Sequence, residues 1–131
     1  MSAHLDWHDD AQSIIVCRLR GDFDVATYGV MEGQLPMLAR EVDHRVDVIF
    51  YLESGANLPP LRGFLQEIGI LGNVMPPNFG VFIGVGEGWL LSNPVSVAIG
   101  SVFARRYFTS GRVLVAPALD AAVRRVLSLR V

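Results

Sequence analysis

From Arg45 to Leu52 the chain alternates, with Val46, Val48, Phe50 and Leu52 on one side and Arg45, Asp47, Ile49 and Tyr51 on the other. A period of two in β-branched and aromatic residues predicts a strand. The polar loop Glu53-Ser54-Gly55-Ala56-Asn57 ends it. Asn57 or the residues just after it can cap a helix whose first turn tolerates Pro59 and Pro60. Leu61, Phe64, Leu65, Ile68 and Leu71 then recur at helical spacing. That helix is expected to stop near Gly72-Asn73, ahead of the breakers Pro76-Pro77-Asn78.

The same signals divide the rest of the chain. His4 to His8 and Ser13 to Arg20 read as a hairpin turning at Asp9-Asp10-Ala11-Gln12. Ile15, Cys17 and Leu19 share one face of its second strand, and Ile14, Val16, Arg18 and Arg20 the other. Asp24 is placed to cap a helix carrying Tyr28, Met31, Leu35, Leu38 and Val42, and Pro36 should kink or shorten it. Phe79 to Val85 predicts a fourth strand, with Phe79, Val81, Ile83 and Val85 on one face and Phe82 on the other. Asn93-Pro94 opens a helix with Val95, Ala98, Ile99, Val102 and Phe103 in its stripe, ending at Arg105-Arg106. A fifth strand follows at Arg112 to Ala116. Pro117 then precedes a last helix with Ala122, Val123, Val126 and Leu127 inward.

The order β-β-α-β-α-β-α-β-α predicts an α/β fold with a five-stranded, mostly parallel sheet and right-handed crossovers. Several strands alternate where strands buried on both faces read as continuous apolar runs. The expectation is therefore an N-terminal hairpin and four helices mainly on one face. The other face would display Ile14, Val16, Arg18, Arg20, Arg45, Asp47, Tyr51 and Phe82.

This succession, above all EVDHRVDVIFYL, a loop and LPPLRGFLQEI, resembles the STAS/SpoIIAA-like (STAS/SEC14-type) bacterial proteins. The likeness spans nearly the whole chain, and implies one domain over residues 1–131 built as a βα superhelix. It also implies two roles: a protein-interaction module, or a carrier of lipid or another apolar small molecule. In the anti-sigma-factor antagonists of this group a phosphorylatable serine opens the helix after the central strand. Pro59-Pro60-Leu61 occupies that turn here, which argues against a phospho-switch.

Composition narrows the classes. The 131 residues carry a net charge of −2, and all eleven basic residues are arginine. No electrostatic draw toward nucleic acid follows from such a balance. The lone cysteine, Cys17, excludes an internal disulfide. The start MSAHLDWHDD has no apolar core of signal-peptide length, and a cytoplasmic protein is expected. Apolar residues make up 51% of the chain. Gly88 to Ala104 carries no charge, but Ser92-Asn93-Pro94 interrupts it, so no transmembrane segment is expected. Peripheral membrane contact stays open.

Candidate chemistry is sparse. His4, Asp6 and His8 share a strand face and have metal-binding side chains, but a solvated edge explains them better. Gly84-x-Gly86-x-Gly88 follows a strand, yet Trp89 stands where a dinucleotide fingerprint wants glycine. Cys17 sits in an apolar strand and reads as an inert core thiol. An enzyme using His44 and Glu53 would need a cleft joining them. The expectation is a non-enzymatic module with no cofactor and no metal. Its contacts are expected at Ser54, Asn57 and Leu58 in the post-strand loop, and at Trp89, Leu90, Leu91, Val95, Ile99 and Phe103. High hydrophobicity also points to a homodimer, since apolar surface left bare invites a partner.

Overall fold

The computed structural model describes residues 2–22, 24–53, 55, 70–85 and 112–130. Strands β1 (Ser2–Trp7) and β2 (Ile14–Arg20) pair antiparallel, with Leu5 opposite Cys17. Gln12 takes a left-handed φ of 53° in the turn between them. Parallel strands β3 (Val46–Leu52), β4 (Phe79–Val85) and β5 (Arg112–Ala116) complete a five-stranded sheet in the order β1-β2-β3-β4-β5. The chain is thus α/β, with a mixed sheet.

Helix α1 (Val25–Arg40) begins where the sequence predicts, because Asp24 accepts from Thr27 N at 2.9 Å and from Thr27 Oγ1 at 2.7 Å. Those bonds satisfy a donor that the first helical turn leaves open. Pro36 is buried inside α1, and the helix runs on to Arg40 without being shortened there. Packing of Leu35 and Ala39 on the sheet holds the segment helical against the local propensity. Helix α2 is described at residues 70–74, and it extends one residue past the expected stop. The last helix, α3 (Leu119–Leu129), starts at Ala118, which caps it without a side-chain bond.

Two cores lie on opposite faces of the sheet. Met31 and Leu35 of α1, with Leu71 of α2, pack on Ile15, Cys17, Leu19, Val48 and Phe50. Ala122 and Val126 of α3 pack on Ile14, Val16, Ile49, Val81 and Ile83. The expected open sheet face is therefore not open. Ile14, Val16 and Asp47 are buried there, and Arg18 lies over the Tyr51 ring at 5.3 Å. Among the described helices α1 and α2 lie on one face and α3 covers the other, which alternation in the outer residues did not reveal because β3 is buried on both sides. Leu127 is exposed and Leu129 is half-buried, so the inward stripe of α3 is Ala122 and Val126 with Val123 beside them.

Strand β4 also departs from its expected phase. Val46 faces Phe79 and Val48 faces Phe82, so β4 holds one more residue than β3 between these pairs. Such a bulge re-aims the side chains beyond it. Phe79 and Phe82 both meet the α1 core, 4.4 Å apart at their ring centroids, and Phe82 lies 5.2 Å from Phe50. Val81, Ile83 and Val85 turn to α3 instead. Phe82 consequently leaves the face where periodicity had put it.

Candidate functional site

The bulge is built around a carboxylate. Asp47 points from β3 toward the α3 face and is fully buried. Its Oδ1 accepts from Val81 N at 2.8 Å, in the place where the bulge interrupts the regular ladder. Gly80 makes room for this. A Cβ at Gly80 would collide with Asp47 Oδ1 and Arg45 Nε, and would stand 2.9 Å from Arg45 Cζ.

Two arginines neutralise Asp47. Arg45, two residues before it, donates from Nη2 to Oδ1 at 3.0 Å and from Nε to both oxygens at 3.1 and 3.2 Å. Arg130, just past α3, donates to Oδ2 from Nε at 3.1 Å and from Nη2 at 2.7 Å. Arg130 also reaches Ser13, with Nη1 on Oγ at 2.8 Å and Nη2 on the carbonyl at 2.7 Å. Ser13 Oγ in turn donates to Asp9 Oδ2 at 2.5 Å. The chain of bonds runs from the hairpin turn through α3 to β3 and β4. Burial alone pushes the Asp9 carboxyl up, but the bonds from Ser13 and Ile14 and the nearby Arg130 charge outweigh it and hold the group below its ordinary 3.8.

This network stands at the amino-terminal ends of the parallel strands, whereas open α/β sheets bind ligands beyond the carboxyl ends. Beside it lies a cleft of about 490 Å³, lined by Asp43, Arg45, Asn78, Phe79, Gly80 and Leu129 among others. Asn78 Nδ2 is committed to three carbonyls, those of Ala39, Val42 and His44 at 2.9, 3.1 and 2.9 Å. It fixes the α1–β3 connection. With every oxygen of Asp47 engaged by donors, the carboxylate is a structural tie and has no lone pair aimed at a substrate.

The residues singled out from sequence fare unevenly. Ser54, Asn57, Leu58, Trp89, Leu90, Leu91, Val95, Ile99 and Phe103 lie outside the described residues. His4, Asp6 and His8 are exposed on β1, and among the described residues no three metal-binding side chains are grouped. His44 precedes β3 and Glu53 follows it, so at about 3.3 Å per residue they lie roughly 30 Å apart. The cleft beside the Asp47 network is lined by neither of them. His44 Nε2 instead contacts Gln12 O at 2.9 Å, and Glu53 pairs with Arg20. Cys17 is buried, and desolvation pushes its thiol up to about 12. Reasoning from sequence missed Asp47, Gly80, Ser13, Asp9 and Arg130. An acid inside an apolar strand and a glycine inside its neighbour were the available signals.

No family model, curated protein or solved structure matches this chain. Among the described residues no helix is long and apolar enough to cross a membrane.

Proposed function

We propose that this protein is a non-enzymatic interaction module of the STAS/SpoIIAA-like kind, with four helices in the whole chain and α3 on the face opposite α1. The observation that carries the reading is an apolar outer surface on the α1 layer. Met37 is 66% exposed and Val30 39%, seven residues apart on one side of α1. Ile70 and Val74 of α2, four residues apart, are 44% and 42% exposed over the same sheet face. The inner sides of both helices are already filled by the core, so these side chains do not serve folding. Exposed apolar side chains on two helices over one sheet face are where a partner would be met.

Photo-crosslinking from positions 37 and 74 in cells tests this reading. A defined protein adduct from both, lost in Met37→Glu and not formed from position 124, is the expected result. Diffuse labelling of equal strength from all three positions overturns it. So does a turnover activity of the purified protein that a single substitution abolishes.

A further inference from the structure

Strand β1 ends the sheet order, and its one neighbour among the described residues is β2. The hairpin's hydrogen-bond phase tells which main-chain groups of β1 face outward. His8 N donates to Ile14 O at 2.8 Å. In an antiparallel ladder the residues that exchange bonds recur at every second position, so Ser2, His4, Asp6 and His8 spend their groups on β2. Ala3, Leu5 and Trp7 therefore direct theirs away from the sheet. Trp7 N agrees, since it bonds the carboxylate of its own neighbour, Asp6 Oδ1, at 2.9 Å on the exposed side.

We propose that a second copy of this chain pairs along this edge, β1 against β1, antiparallel about a two-fold axis at Leu5. A row of unpaired main-chain groups is a ready template for another strand. The outward phase admits axes at His4, Leu5 or Asp6. An axis at Asp6 sets two carboxylates opposite each other, and like charges directly opposite are destabilising; one at His4 sets Asp6 opposite Ser2 and so forgoes the His4–Asp6 pair. The axis at Leu5 is self-complementary. It sets His4 opposite Asp6 of the second copy twice over, on the exposed face. On the other face Leu5 meets Leu5 of the second copy, and Ala3 meets Trp7 of the second copy, all three side chains half-buried in the single chain. Trp7 N exchanges Asp6 Oδ1 for the Ala3 carbonyl of the second copy, which frees Asp6 to meet the histidine. Closure about a two-fold is the commonest symmetry of soluble oligomers. The pairing goes beyond the α1 surface and stands without it.

Light scattering over a wide concentration range decides the matter. The full chain is expected at twice its monomer mass. Ala3→Pro removes an outward N–H and leaves the bonds to β2 intact, so it shifts the mass to one chain with folded circular dichroism retained. His4→Asp, on the exposed face, weakens the dimer at least tenfold, and adding Asp6→His restores it. Met37→Glu leaves the dimer unchanged, which separates this edge from the α1 surface. A one-chain mass at every concentration overturns the proposal. So does a dimer indifferent to His4→Asp, or one that the double substitution fails to restore.

Discussion

Arg130 and Asp47, 83 residues apart in the chain, meet at 2.7 Å between Nη2 and Oδ2 in the interior of the fold. The contact joins the end of α3 to the central strand, and Arg130 carries it on to Ser13 and the hairpin turn. A helix with two fully buried side chains, Ala122 and Val126, is thereby fastened at its far end as well.

Removing the two ends of this pair should have unequal effects. Arg130→Gln leaves Asp47 with Arg45 and Val81 N, so a loss of about 1–3 kcal/mol is expected, as for a hydrogen bond to a charged group. Asp47→Ala leaves Arg45 without its carboxylate, Arg130 with Ser13 alone and the buried Val81 N–H without an acceptor, and about 3–5 kcal/mol should be lost. Urea unfolding of the two variants checks the order. An Arg130 variant as unstable as the Asp47 variant would refute the division of labour.

Gly80→Ala is expected to destabilise by about 3 kcal/mol, at the upper end for overpacking, because the added methyl displaces the Asp47–Arg45 pair. The backbone itself does not forbid alanine there, since Gly80 is not among the positive-φ positions of the described residues. Thermal unfolding measures the loss. The diagnostic comparison is Gly80→Ala in an Asp47→Ala background, where the second substitution should cost much less.

Acid should loosen the hairpin corner. Asp9, held below its ordinary 3.8, binds its proton less readily folded than unfolded. Its contribution is complete above that value and disappears as pH falls through the lower folded value. Asp9→Asn should be less stable than the parent at neutral pH and should close the gap below about pH 4. A gap that stays constant through acid would show that the charge is irrelevant.

Cys17 should be silent in the folded protein. A thiol pushed to about 12 and buried under α1 offers almost no thiolate at pH 8. Thiol reagents are expected to label it in denaturant and to leave it unmodified in buffer over the same period. Rapid labelling of native protein would mean that the α1 core opens readily.

Sequence by itself determined the elements and most of their faces, because strand and helix periods arise from local backbone geometry. The strands of the hairpin, β3, β4 and β5, the Asp24 cap, and the partition of β2 and β3 into two faces all followed from residues within a few positions of each other. The Met31–Leu35 side of α1 and the tight, apolar setting of Cys17 were legible in the same way. Tertiary structure decided what covers each face. Alternation marks the two sides of a strand but does not say whether a helix from far along the chain lies over the second one, as α3 does over Ile14 and Val16. It decided the phase of β4 too, since one extra residue opposite Asp47 turns Phe82 toward Phe50 and Val81 toward α3. Asp47 itself looked like a solvent-facing acid because its neighbours in sequence are Val46 and Val48. The donors that make it stable in the interior come from Arg45, from β4 and from Arg130, and only folding brings the last two within hydrogen-bond reach.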